Sequence, residues 1–136
     1  MITGVHHVGI VVRNLDEAAS IYENLGLTVE KITVSEHDGV KIAFMPAAAT
    51  LIELLEPTKP SNSVARFLES RGEGVHHLAF EVDNIEDHLR RLEQAGATLI
   101  DKKPRQGAEG LVAFVHPKSM KGVLVELVQR DHETTA

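Results

Sequence analysis

The stretch Gly74-Val75-His76-His77-Leu78-Ala79-Phe80-Glu81-Val82-Asp83-Asn84-Ile85 has a counterpart near the start of the chain, Gly4-Val5-His6-His7-Val8-Gly9-Ile10-Val11-Val12-Arg13-Asn14-Leu15. The two lie 70 residues apart in a chain of 136. A second echo follows, as Leu51-Ile52-Glu53-Leu54-Leu55 returns as Leu124-Val125-Glu126-Leu127-Val128. Internal repetition on this scale means one module written twice. Each copy carries a His on its first strand and a Glu on its last.

Working outward, residues 5–12 read as a strand. Side chains alternate faces along a strand, so His6, Val8, Ile10 and Val12 share one face, and His7, Gly9 and Val11 the other. Asn14 suits a helix N-cap with Glu17 three residues on. The helical stripe is Ala18, Ile21, Tyr22 and Leu25, and Gly26 is the stop signal. Strands are expected at Val29–Val34, Val40–Met45 and Thr50–Leu55, with a turn at Glu36-His37-Asp38-Gly39. Residues 62–71 form a connecting helix with Val64, Phe67 and Leu68 on one side. The second copy repeats the order, with a strand over 75–82, an Asn84 cap, a stripe of Leu89, Leu92 and Ala95, and a stop at Gly96. Its later strands are expected at Thr98–Asp101, Val112–His116 and Val123–Val128. The polar tail 129–136 is expected to fray. The fold class is α+β: one domain over 1–136, made of two tandem βαβββ modules at about 1–57 and 74–130. They are joined by a linker helix at about 62–71, and form a cupped mixed sheet around a metal site with helices outside.

Composition narrows the chemistry. The chain is 43% hydrophobic and 25% charged, as expected of a soluble globular protein. It has no apolar run of membrane length and no secretory leader pattern, so a cytoplasmic protein is expected. Cys is absent, which excludes disulfides, thiolate catalysis and Cys-type zinc sites. A net charge of −6 disfavours nucleic acid or an anionic membrane as partner.

Taken singly, a His at a strand start is more often a hydrogen-bonded or surface residue than a ligand. A Glu between apolar strand neighbours says more, because burying a carboxylate costs several kcal/mol unless it is paired or bound to a cation. Recurrence of both at matching positions points to His7, Glu53, His77 and Glu126 as ligands of one divalent ion, of the Co, Zn, Ni, Mn or Fe kind. Four protein ligands leave an octahedral ion two open positions, a catalytic arrangement. His6 and His76 fall on the expected helix-facing side. His37, His88, His116 and His132 have no partner in the repeat. Lys102-Lys103-Pro104-Arg105 and Lys118/Lys121 are the dense cationic groups of an acidic chain. They are either a solvated face or a phosphate site, aided by the Gly-containing loop 106–110.

The duplicated module with these ligands resembles the vicinal oxygen chelate superfamily, and within it the methylmalonyl-CoA epimerase family, over essentially the whole chain. The resemblance rests on Val5-His6-His7-Val8-Gly9-Ile10, Ile52-Glu53-Leu54-Leu55-Glu56-Pro57, Arg71-Gly72-Glu73-Gly74-Val75-His76-His77 and, most specifically, the segment His116-Pro117-Lys118-Ser119-Met120-Lys121-Gly122-Val123-Leu124-Val125-Glu126-Leu127. It implies metal ligation by His7, Glu53, His77 and Glu126. It also implies interconversion of (2S)- and (2R)-methylmalonyl-CoA through a metal-stabilised thioester enolate, an acyl-CoA partner and a homodimer; for the CoA phosphates the charge clusters offer Lys102, Lys103, Arg105 and Lys118, which are otherwise a solvated face. Glu126 either ligates only or also acts as base. The family pattern has a second carboxylate on the strand Val40–Met45, where alignment places Lys41, either a long-shot acid–base group or a solvated lysine. Glyoxalase I, a lactoylglutathione lyase, is the nearest alternative. An extradiol dioxygenase and a ligand-sequestering protein of the same fold stand further off.

Overall fold

A computed structural model describes residues 1–131. The expected fraying tail therefore falls largely outside the described residues, although its first two residues belong to the last strand. The elements run β1 (Ile2–Val11), α1 (Leu15–Leu25), β2 (Lys31–Ser35), β3 (Val40–Ala47), β4 (Thr50–Pro57), α2 (Ser63–Arg71), β5 (Gly74–Val82), α3 (Ile85–Gln94), β6 (Arg105–Gln106), β7 (Gly110–Val115) and β8 (Leu124–Arg130). A short 3-10 helix, Pro117–Ser119, precedes β8. This is the βαβββ order twice, in an α+β fold. No helix among the described residues is long and apolar enough to cross a membrane.

Two compact units result. One is His7–His76; the other joins Met1–His6 to the chain from His77 onward. In the first, the strand order is β2-β3-β4-β1, with β1 and β4 parallel and the other neighbours antiparallel. In the second, the first residues of β1 lie beside β5, and the order continues β8-β7-β6. There β5 and β8 are parallel, and β7 is antiparallel to both β8 and β6.

The helices start where the sequence places caps. The side-chain oxygen of Asn14 accepts from the Glu17 N–H at 2.9 Å, and Asn84 accepts from Asp87 at 3.1 Å. Both helices have two acidic residues in their first turn, which suits the positive end of the helix dipole. The apolar stripe, however, lies one turn earlier than the spacing suggests. In α1 the buried residues are Leu15, Ala18 and Ala19, with Tyr22 packed beside them, whereas Ile21 and Leu25 are 60% and 75% exposed. In α3 they are Ile85 and Leu89 with Leu92, and Ala95 has left the helix. The cause is the anchoring of each N-terminus. The Leu15 N–H donates to the Glu56 carboxylate at 2.7 Å, and the Ile85 N–H to the Gln129 side chain at 2.8 Å. Both partners sit three residues beyond the ligand-candidate Glu of β4 or β8. The helix is thus held at its start, and its last turn overhangs the strands.

Helix α1 covers one face of its unit, where Ile10, Val12, Ala43, Met45 and Leu54 form the core. In the other unit, α3 covers Phe80, Val82, Ala113 and Leu127. Burying residues such as Leu15, Leu54 and Ile85 contributes roughly 1.5–3 kcal/mol each. Helix α2 differs. Its Val64, Phe67 and Leu68 pack on Val11, Val40 and Leu55, the face away from α1. So α1 and α3 match the expectation of helices outside, and the linker helix takes the opposite face.

Two expected strands change. Val29–Val34 begins later, at Lys31, because Val29 turns into the α1 core. Thr98–Asp101 keeps one bridge, Leu99 to Val115, and the strand beside β7 is Arg105–Gln106 instead. Asp101 explains this: its carboxylate accepts the Phe114 N–H at 2.8 Å, in place of a backbone partner.

Gly110 opens β7 at φ +143°, and an added Cβ would stand 2.0 Å from the Gln129 carbonyl oxygen. Backbone cannot yield there as a side chain can. Gly110→Ala should therefore lose at least about 3 kcal/mol in urea unfolding, the upper end for a strained backbone alone. A loss below about 1 kcal/mol would show that the turn adapts.

A second prediction concerns Glu81. The Arg130 guanidinium bonds it at 2.5 Å and holds its carboxyl below the usual glutamate range. A depressed folded pKa contributes stability above the unfolded value that is lost as pH falls through the folded one. Arg130→Ala should cost up to about 1 kcal/mol at neutral pH. That cost should shrink in acid as Glu81 protonates. A cost unchanged from neutral pH down to about pH 3 would assign the effect to packing rather than charge.

Candidate metal centre

Strand alternation decides which side chains meet. In the His7–His76 unit, Gly9 is in register with Glu53, and His7 with Leu51. His7, Gly9 and Glu53 therefore share the face away from α1. His7 Nδ1 and Glu53 Oε2 are 3.5 Å apart. In the other unit, Ala79 is in register with Glu126, and His77 with Leu124. His77 Nε2 and Glu126 Oε1 are 3.6 Å apart. All four residues are buried, between 7% and 9% exposed. The structure thus brings each candidate His to its candidate Glu, once per unit, beside a residue of minimal bulk.

Each half-site has one further member that the repeat could have revealed. Phe44 lies directly opposite Glu53, and Phe114 directly opposite Glu126. They are 70 residues apart, the same offset as the histidines. The Phe114 ring meets His77 edge-on at 6.1 Å. Over each ring sits a cation from the outermost strand: Lys31 Nζ is 5.0 Å from the Phe44 centroid, and Arg105 Cζ 5.6 Å from that of Phe114. Arg105 was foreseeable as part of the basic cluster, but Lys31 had no local signal.

The donor set suits a divalent ion. Two atoms bound about 2.1 Å from one ion lie about 3.0 Å apart at an octahedral angle and about 3.4 Å apart at a tetrahedral one. The separations of 3.5 and 3.6 Å lie just above these values and beyond the length of an ordinary hydrogen bond. Imidazole and carboxylate are borderline and hard donors, which suits Zn, Co, Ni, Mn or Fe.

Lys41 needs correction. It is in register with Glu56 and shares a face with Ala43 and Met45, under α1. The residues of β3 that face the Glu53 side are Val40, Ile42 and Phe44, none of which transfers a proton. Period-two alternation carries the Lys41 side chain away from the half-site. The basic cluster also divides. Arg105 lies over Phe114, while Lys102 and Lys103 line a groove against α3. Lys118 is exposed on the 3-10 helix.

Four of the other histidines have structural partners. His76 packs edge-on against Phe67 of α2 at 5.1 Å, and burial lowers its pKa. It does meet a helix, but the linker rather than α3. His6 Nε2 stands 3.5 Å from the Glu109 carboxylate. His116 caps the 3-10 helix, its Nδ1 accepting the Lys118 N–H at 3.0 Å. His88 bonds the Asn84 carbonyl. His132 lies outside the described residues.

With this geometry in hand, similarity to known proteins is informative. Residues 6–114 match the Glyoxalase/Bleomycin resistance protein/Dioxygenase superfamily. An ethylmalonyl-CoA/methylmalonyl-CoA epimerase of Cereibacter sphaeroides is 40% identical, over 95% of this chain and 99% of the relative. The crystal structure of methylmalonyl-CoA epimerase from Mycobacterium tuberculosis superposes with a TM-score of 0.87 at 34% identity, covering 98% of this chain and 92% of that one. A methylmalonyl-CoA epimerase solved with methylmalonyl-CoA and NH4+ gives 0.87 at 32% identity, covering 97% of both chains. With the doubled βαβββ order and a His–Glu pair in each unit, these matches establish that the chain belongs to the glyoxalase/bleomycin resistance/dioxygenase superfamily and, within it, to the methylmalonyl-CoA epimerase family.

Proposed function

We propose that this protein is a metal-dependent epimerase interconverting (2S)- and (2R)-methylmalonyl-CoA, with His7, Glu53, His77 and Glu126 holding one divalent ion. The observation that carries the reading is the matched pair of half-sites, each with a buried His and Glu at a ligand-sharing distance. The names of the relatives and the complex with methylmalonyl-CoA support the substrate. When bound, the ion supplies Lewis acidity that lowers the cost of negative charge on the substrate oxygens.

The chain's own groups do the rest. Gly9 and Ala79, each in register with a carboxylate, leave room for the substrate's α-carbon. The Phe44 and Phe114 rings exclude water from the carboxylate they face, which strengthens every charge interaction there. Glu126 takes the α-proton: the C–H bond breaks, its electron pair moves toward the thioester carbonyl, and the carboxylate is protonated. A carboxyl that starts the cycle protonated returns a proton to the opposite side of the α-carbon, and proton exchange with water resets the two carboxyls. Since β3 offers no acid or base on the Glu53 side, we assign that second transfer to Glu53, the repeat counterpart of Glu126.

Two outcomes test this. His77→Ala should lower affinity for Co or Zn by at least about tenfold, within the range seen when metal-site groups are lost, while its circular dichroism stays that of the parent. Unchanged stoichiometry and affinity would remove His77 from the site. In deuterated water, the metal-loaded protein should exchange the α-proton of both epimers. Glu126→Gln should lose exchange from one epimer by about 100-fold or more, the scale of general-base catalysis, with a smaller loss of metal, and Glu53→Gln should lose it from the other. Equal exchange from both epimers in each variant would leave the glutamates as ligands only. No exchange in the parent, with turnover of the methylglyoxal–glutathione hemithioacetal, would replace epimerisation by glyoxalase chemistry.

A further inference from the structure

We propose that helix α2 is the wall that limits the size of the substrate's α-substituent, with Phe67 as the specificity-determining residue, an inference that rests on the acyl-CoA reading above. A 2-alkylmalonyl thioester offers its thioester and carboxylate oxygens to polar partners, but its alkyl group only to packing. The surface that limits this group must therefore be apolar and close to the reacting carbon. In the His7–His76 unit, α2 supplies such a surface.

Alternation sets where the wall begins. Val11 follows Gly9 on the half-site face of β1, and Leu55 follows Glu53 on that of β4. Both are buried, and Val64, Phe67 and Leu68 of α2 pack on them. The space over Gly9 is thus closed on one side, a single side-chain pair beyond the carboxylate. Two residues along a strand span about 6.6 Å. A carbon in van der Waals contact stands about 3.5–4.0 Å from its neighbour, which leaves about 3 Å of that step. This is the length of about two carbon–carbon bonds of ~1.5 Å. An alkyl group of one or two carbons fits the step, and a longer one meets the wall. The printed name of the Cereibacter relative covers both methyl and ethyl groups.

Phe67 is the fixed part of the wall. Its ring meets His76 edge-on at 5.1 Å, and the Arg71 guanidinium lies over it at 5.6 Å. With the Val11 and Leu55 side chains as a third support, the ring has little freedom to turn aside. It is only partly buried, so some of its surface remains available for contact. Asn62 fixes the start of the helix. Its side-chain oxygen accepts the Ala65 N–H at 2.8 Å, while its amide donates to the carbonyls of Asp38 at 2.9 Å and Gly39 at 2.7 Å. No residue of α2 is fully buried, so these contacts, rather than a core of its own, hold it in place. Truncating Phe67 therefore opens space beside the half-site without removing a core residue. The Glu126 face of the other unit offers a control, since Ala79, Val112 and Val128 pack there with no helix residue among them.

The test uses the full chain loaded with Co or Zn, and methylmalonyl-, ethylmalonyl- and butylmalonyl-CoA as substrates. In the parent, kcat/KM should fall by at least about tenfold from ethyl to butyl. Phe67→Ala should raise the butyl-to-methyl ratio of kcat/KM by at least about tenfold, and Phe67→Leu should raise it several-fold. The Leu variant keeps an apolar contact at α2 in case the Ala variant does not fold. Val112→Ala should leave the ratio at the parent value. A ratio unchanged in both Phe67 variants, or raised as much by Val112→Ala, would overturn the proposal. So would a parent that turns over butylmalonyl-CoA as well as methylmalonyl-CoA. A parent that epimerises none of the three would defeat the reaction reading alone, and calorimetric titration of the same thioesters would then decide the wall. Butylmalonyl-CoA should bind the parent at least about tenfold more weakly than methylmalonyl-CoA, and Phe67→Leu should narrow that gap. Equal affinities in the parent, an unchanged gap in the variant, or no binding of either thioester would overturn it.

Discussion

The structure depends on keeping a carboxylate buried next to an imidazole, twice. Glu53 and Glu126 lie in apolar strands where an unpartnered charge would cost several kcal/mol. Each is accommodated in the same way: a His from the parallel first strand 3.5 or 3.6 Å away, a Gly or Ala in register, and a Phe across the antiparallel neighbour. Three residues further along the strand, Glu56 or Gln129 accepts the first amide of the helix. The strand that carries the buried carboxylate is therefore tied to the helix behind it. Site and core are two faces of one ladder, and neither face is free to move without the other.

Duplication does not make the units equal. In the His7–His76 unit, α2 covers part of the half-site face through Val64, Phe67 and Leu68. On the Glu126 face of the other unit, Ala79, Val112 and Val128 pack together, with no helix residue among them. The cations above the aromatic rings also differ. Arg105 is balanced by Asp101, whereas Lys31 makes only its contact with Phe44 among the described residues. The outermost strand has five residues in one unit and two in the other.

Much of this was legible in the residues because repetition and alternation are local signals. The two echoes, at 70 and 73 residues, identified the module and its four ligand candidates, and Asn14 and Asn84 marked the helix starts, since a cap bonds only three residues away. Which turn of each helix is buried was not legible. Ile21 and Leu25 are as apolar as Leu15, and the choice is made by Glu56, 41 residues away in sequence. The strand expected at 98–101 failed for the same kind of reason, because the Asp101 side chain takes the bond a backbone carbonyl would have made.

The sequence by itself determined the duplicated βαβββ order, the pairing of one His with one Glu per module, and the exclusion of thiol chemistry, because each follows from residue type and spacing along the chain. Only the tertiary structure decided that Lys41 belongs to the α1 face, that Phe44 and Phe114 stand against the carboxylates, and that the run 102–105 splits between two faces of one unit. The reason is register. In a strand, a shift of one residue exchanges the two faces, and that register is set by pairing with a strand elsewhere in the chain.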